Sequence, residues 1–272
     1  MSNAYPSAIL GDLLANPRYE VLPTASIEDT VTTHLPAGMT VTVTASPAKP
    51  IEATVELATR LAGAGYDAVP HLAARMISGP GQLHEIVAAL TQAGVAKVFV
   101  PAGDAKDPAG EYTQSLDVLR ELRAMGDPFA EVSITGYPES HPNIDDDVTI
   151  QSMWDKRTYA THLISNMTFS DDVLAGWLER VRRRGVTLPV YVGVPGPVER
   201  TKLLGMATKI GVGESLRFLN KQKGIFARIA APGFKTETFV RRVAALAQNE
   251  TLGVAGLHVF TFNQVEATER WR

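Results

Sequence analysis

The 272-residue chain contains no cysteine. That removes disulfides, iron–sulfur clusters, thiolate zinc sites and any Cys nucleophile. No stretch approaches the roughly 18 consecutive apolar residues of a membrane span. The N-terminus lacks the basic-then-apolar pattern of a secretory leader, so a cytoplasmic location is expected. The net charge of −3 supplies no general field to attract nucleic acid or an anionic membrane surface, so neither is expected as a partner. Several signatures are also missing: a Gly-x-Gly-x-x-Gly after the first strand, a His-x-His pair, and a Gly-x-Ser-x-Gly nucleophile elbow.

What remains is a strand-and-helix alternation in a chain that is 45% hydrophobic, enough for a large core. β-rich runs occur at Tyr19–Pro23, Thr40–Ser46, Ala68–Leu72, Lys97–Pro101, Glu131–Thr135, Thr161–Ser165, Pro189–Val194 and Leu257–Phe262. Helical spacing fills the gaps at Pro50–Ala64, Gln82–Ala93, Tyr112–Met125, Thr149–Arg157, Ser170–Arg184, Val198–Ile229 and Thr236–Ala247, after a short amphipathic lead at Ala8–Leu14. At least five of these helices end at a glycine a few residues before the next strand, the residue that closes a helix in the left-handed conformation. Eight such units predict an α/β fold of the (β/α)₈ TIM-barrel type, a single domain over residues 1–272 with a lead at 1–17. An open doubly wound sheet is the rival architecture.

In a barrel, chemistry sits where the strands end. The stretch Ile134-Thr-Gly-Tyr-Pro-Glu-Ser-His-Pro142 delivers a phenol, a carboxylate and an imidazole within five residues of a strand end. The other strand ends offer Glu20, Thr44, His71, Asp104, Asn166, the Pro195-Gly196 turn and Asn263. Glu20, flanked by Tyr19 and Val21, is a carboxylate in an inward-facing strand that must be paired or functional. His71 reads by default as a core histidine with one satisfied hydrogen bond, and Asn263 as a cap for the last helix. Glu20, His71, Asp104 and His141 could together supply a His₂-carboxylate₂ metal set, although no carboxylates pair on one strand. The arginines at 180, 182, 183 and 184 suit the last turn of a helix, and Asp145–Asp147 suits a helix start. Trp154 and Trp271 fit core, interface or ligand-stacking roles equally.

The ordered set resembles the methylenetetrahydrofolate reductase family in its bacterial catalytic-barrel form, over roughly residues 18 to 266. Tyr19-Glu-Val-Leu-Pro23 is similar to the family's Phe-Glu-Phe-Phe-Pro, Val41-Thr-Val-Thr44 to its Ser-Val-Thr, and Val69-Pro-His-Leu72 to its Pro-His-Leu. Gly103-Asp104 matches its Gly-Asp, and Tyr137–Pro142 its Tyr-Pro-Glu-x-His-Pro. Val194-Pro-Gly196 and Phe260-Thr-Phe-Asn263 fit its last two strands.

This resemblance implies reduction of 5,10-methylenetetrahydrofolate to 5-methyltetrahydrofolate, with hydride passed from NADH or NADPH through FAD. It assigns Glu20 as the general acid, its pKa raised by desolvation, and Asp104 as a neighbour of pterin and flavin whose charge favours a cationic iminium. It further assigns Thr44, His71, Gly103, Asp104, Tyr137, His141 and Lys156 to the flavin. Asn166 falls where the family has a pterin-binding Gln. A dimer or tetramer is the implied assembly. Three departures accompany the match. The family's Arg before Gly-Asp is Ala102, Lys156 or Arg157 stands in for its Lys before the sixth strand, and Ser170 replaces its Asp after Phe169. Such losses fit relatives that pass hydride directly from nicotinamide to folate. A metal-dependent lyase or hydrolase and a non-catalytic folate-binding protein are the readings from other classes.

Overall fold

A computed structural model describes residues 7–141, 143–197 and 235–272. Eight parallel strands alternate with helices around a nearly closed barrel, in the order β3-β2-β1-β8-β7-β6-β5-β4. The strands are β1 (Arg18–Val21), β2 (Thr40–Val43), β3 (Asp67–Pro70), β4 (Lys97–Phe99), β5 (Glu131–Gly136), β6 (His162–Met167), β7 (Val190–Pro195) and β8 (Val254–Phe260). All eight expected strands are present, with ends that differ by no more than three residues. The helices are α1 (Ser7–Ala15), α2 (Ile27–His34), α3 (Ile51–Gly63), α4 (Pro80–Gln92), α5 (Ser115–Ala124), α6 (Asp146–Lys156), α7 (Asp171–Arg183), α8 (Thr236–Ala247) and α9 (Val265–Trp271). The helical stretch expected at 198–229 lies outside the described residues, as does Pro142 of the fifth-strand motif.

Two helices, α2 and α9, were not legible in the pattern. The first reads Ile-Glu-Asp-Thr-Val-Thr-Thr-His and is poor in intrinsic helix formers. It forms because Glu28 and Asp29 complement its N-terminus while Ile27 and Val31 are buried. Helix α5 starts at Ser115 rather than Tyr112, because Asp117 Oδ2 accepts from the backbone N–H of Thr113 (3.0 Å) and of Gln114 (3.1 Å) and so stops the loop there. The acidic run at 145–147 does begin α6. Arg180 and Arg184 pair outward with Asp146 and Asp147, whereas Arg182 turns inward to the carbonyls of Val186 and Leu252.

Alternation along each strand divides the core in two. One set of side chains, with Tyr19 and Ile134 among the largest fully buried, packs against the helices, which contribute Leu119 of α5 and Trp177 of α7. The other set fills the barrel in layers. At the floor, the first residues of four strands form an ionic chain: Arg18 of β1 meets Glu131 of β5 across the barrel (2.9 Å), Glu131 meets Lys97 of β4 (2.8 Å), and Lys97 meets Asp67 of β3 (3.0 Å). Asp67 then accepts from Thr40 of β2 (2.8 Å). Arg18 also lies over the Tyr191 ring at 4.0 Å, beside His162, whose ring meets Tyr191 edge-on. Above the floor sits a small apolar plug of Val69, Phe99 and Ile164 with Tyr191.

The sheet has no ladder between β3 and β4. The gap is bridged near the mouth by the His71–Phe99 pairing, with Leu72 N–H donating to Phe99 O (2.7 Å) and Ala74 N–H to Pro101 O (3.0 Å). At the floor, the Asp67–Lys97 ion pair spans it.

Candidate active site

Above the plug, the mouth gathers one carboxylate and two imidazoles. Glu20 enters from β1, its side chain 14% exposed, with Oε2 at 2.9 Å from His258 Nε2 and 3.8 Å from His71 Nε2. His258, on β8, is fully buried, and its Nδ1 has no hydrogen-bond partner among the described residues. His71 is buried edge-on against Phe99, ring centres 4.6 Å apart, and its Nε2 likewise completes no hydrogen bond there. Thr44 Oγ1 finds no partner within bonding distance among the described residues, yet it faces Glu20 closely enough to favour the ionised carboxylate.

The backbone around Glu20 is knitted to the end of β8. Thr261 Oγ1 donates to Glu20 O (2.6 Å), and Asn263 Oδ1 accepts from Leu22 N–H (2.8 Å) while its Nδ2 donates to Leu22 O and Thr24 Oγ1 (both 3.0 Å). Asn263 is therefore a clamp between the exits of β1 and β8 rather than a helix cap. Its φ of +58° and the +50° of Phe262 place two consecutive non-glycine residues in the left-handed region, strain that the clamp holds.

Electrostatics at Glu20 reverse one sequence expectation. Burial pushes its pKa up, as expected from desolvation. The His258 hydrogen bond and charge, with His71 and Thr44 adding to them, outweigh burial and hold the carboxyl below its ordinary range. The ligand-free protein thus carries an ionised Glu20 at neutral pH, not a standing acid. Burial alone would raise this carboxyl, and the partner that reverses it lies 238 positions away in the chain. A signal was available: His258 sits in an apolar strand and poses the same question of pairing that Glu20 did. Burial drives His71 the other way, down to about 4, with Glu20 only partly restoring it, so its imidazole is neutral.

The fifth-strand motif forms a second cluster. Tyr137 stacks edge-on with His141 at 5.0 Å, and its phenol is pushed up to about 12 by burial and then by the charge of Asp104. Asp104 is itself exposed. It rides on a loop pinned by Arg75, whose guanidinium donates to the carbonyls of Ala105 (2.7 Å), Lys106 (2.6 Å) and Thr113 (3.4 Å). Gly103, next to it, has φ +90°, and a Cβ there would meet Ala73 Cβ at 3.0 Å. Glu139 joins two loops, accepting from Phe169 N–H (2.8 Å) and Thr168 Oγ1 (3.2 Å).

Two other candidates stand apart from these clusters. Lys156 lies buried between α5 and α6, donating to Ser115 Oγ at 3.1 Å; desolvation lowers it to about 8. Asn166, at the end of β6, gives its amide oxygen to the following backbone N–H of Met167 (2.8 Å). The four residues weighed as metal ligands do not converge; among the described residues no group of three or more His, Asp or Glu is arranged to hold a metal ion. Trp154 is a surface residue under the Arg157 guanidinium, 3.7 Å away.

Fold and site together define a (β/α)₈ barrel with an acid–imidazole cluster at the C-terminal mouth of its strands. The sequence model of methylenetetrahydrofolate reductase matches residues 23–270, and the chain belongs to that family. Among solved structures, the chain is similar to an uncharacterized protein from Clostridium thermocellum that binds two copies of 5-methyl-5,6,7,8-tetrahydrofolic acid. That match has TM-score 0.58 and 9% identity, covering 98% of this chain and 99% of the other. It is also similar to oxaloacetate acetylhydrolase (TM-score 0.54, 11% identity, 95% and 81% covered). A lyase/mutase from Burkholderia cenocepacia gives 0.51, with 15% identity and 96% and 82% covered. At these identities the structural likenesses show the barrel fold alone.

Proposed function

We propose that this chain reduces 5,10-methylenetetrahydrofolate to 5-methyltetrahydrofolate with NADH or NADPH as the hydride source. The observation that carries the reading is Glu20, held at the mouth between two imidazoles in a member of this family. The folate bound by the Clostridium neighbour is a second support. In the reaction, Glu20 donates a proton to a ring nitrogen of the folate, and the adjacent C–N bond breaks to leave an iminium. Hydride then adds to its carbon to give the methyl group, and the nicotinamide leaves oxidised. The ionised state of free Glu20 is compatible with this role. A pterin lying over the mouth removes the carboxylate's remaining water, and desolvation is already the strongest influence raising its pKa. Asp104, near Tyr137, supplies negative charge that favours the cationic iminium.

The family is generally flavin-dependent, and FAD, when bound, would supply a two-electron relay between nicotinamide and folate. The described residues suit the ring end of such a group: Thr44 Oγ1 and His71 Nε2 complete no hydrogen bond among them, and Tyr137 and His141 supply an edge-on ring pair. They do not suit its pyrophosphate. Ala102 removes one cation, Lys156 is buried against Ser115, and Arg75 is committed to three backbone carbonyls. This mismatch favours a second reading, in which nicotinamide delivers hydride to the folate directly.

Two measurements test these readings. Glu20→Gln is expected to lower methylene reduction by roughly 100- to 10,000-fold while folate binding survives; a variant as active as its parent overturns the assignment. A yellow protein whose visible band bleaches with NADH supports the relay. A colourless protein that oxidises NADH with folate supports direct transfer.

A further inference from the structure

We propose that His258 is a positioning residue that dictates which oxygen of Glu20 carries the acidic proton, a role that rests on the reductase reading above. Three observations converge. The imidazole Nε2 lies 2.9 Å from Glu20 Oε2, and His71 Nε2 is nearest that same oxygen. His258 is wholly buried, with no freedom to turn away. Its Nδ1 is without a partner among the described residues, which selects the tautomer. A buried, unpaired N–H costs more than an unpaired ring nitrogen acceptor, so the ring carries its N–H on Nε2 and donates to Oε2.

Oε2 is therefore occupied as an acceptor in both charge states of Glu20. A proton gained by the carboxyl is directed to Oε1, the oxygen to which neither imidazole is bound, and it is from Oε1 that a ligand receives it. The ionisable groups around the pair are His71 of β3 and, below, His162 of β6, whose titration feels His258, with Arg18 beside it. No second carboxylate acts on Glu20 to oppose the arrangement among the groups that influence it.

The test uses two replacements that differ in where their amide nitrogen lies. His258→Gln carries an N–H close to the position of Nε2, and His258→Asn carries one close to Nδ1. The titration of Glu20 is read in the ligand-free protein by infrared difference spectroscopy, with Glu20→Gln identifying the band and circular dichroism confirming the fold. His258→Asn is expected to move the midpoint up by about one pH unit or more, because burial is then less opposed. His258→Gln is expected to restore a midpoint near that of the parent. The pH limit of kcat/KM for folate reduction should move in parallel. A structural role alone would lower kcat without moving that limit. Coincident midpoints for parent and Asn variant overturn the proposal, as do equal upward shifts in both variants. A parent protein without methylene reduction overturns the reductase reading instead, since the carboxyl titration is measured without turnover.

Discussion

Acidification from pH 6.5 to 4.5 is expected to remove much of this barrel's stability through two imidazoles that barely meet water. His71 and His162 are 5% and 4% exposed. Burial is the first cause lowering both, His71 to about 4 and His162 to about 3, from an ordinary value of 6.5; Arg18 adds to the effect on His162. Because the folded pKa is depressed, the unfolded chain takes up these protons first. The contribution is present above pH 6.5 and is lost as pH falls toward 4 and 3. Each group has a limiting slope of about 1.4 kcal/mol per pH unit. Allowing for curvature near each midpoint, the two together cost about 4–5 kcal/mol over this window, a large share of the roughly 5–15 kcal/mol typical of a domain. Carboxylates held low, such as Glu131, act in the same direction, but chiefly below their ordinary 4.5. Urea unfolding at intervals across the window measures the slope, and His162→Phe should remove about half of it, on the order of 2 kcal/mol. Stability that stays flat between pH 6.5 and 4.5, or a slope unchanged by His162→Phe, refutes the reasoning.

Other perturbations address the seam and the packing. Lys97→Met leaves Asp67 without its cation and Glu131 with only Arg18; at 25–32% exposure these pairs are partly screened, so a loss of about 1–3 kcal/mol is expected from urea midpoints. Gly136→Ala would place a Cβ 2.6 Å from the buried Trp177 ring, costing about 1–3 kcal/mol and lowering the melting temperature. Asn263→Ala removes three bonds between the exits of β1 and β8; both stability and folate reduction should fall, checked by calorimetry and steady-state assay. Arg75→Ala frees the loop bearing Asp104 and should raise the KM for folate more than it changes thermal stability.

The strands were legible because each is a short β-rich run, and the returns to them because residues such as Gly94 and Gly185 take φ of +77° and +81° where the pattern requires a helix to close. Glu20 was legible for a related reason: a carboxylate among buried apolar neighbours has few explanations. What resisted reading depended on pairing across the closed sheet. The register that sets Arg18 beside His258 and Glu20 beside Phe260 brings the imidazole to the acid, and no local window contains both. Lys156 shows the converse. The resemblance made it a stand-in for the family's Lys before the sixth strand, yet its ammonium is buried against Ser115 of α5. Helix α2 went unread because tertiary burial of Ile27 and Val31 overrode a weak local preference.

The unladdered gap between β3 and β4 behaves as a zip with unlike ends. At its lower end an ion pair fastens it, and salt loosens such a pair. At its upper end the fastening is backbone hydrogen bonding next to His71, indifferent to ionic strength. Rising salt should thus unfasten the barrel from below while the imidazole beside Glu20 stays where it is, giving the molecule a compliant base under a rigid rim.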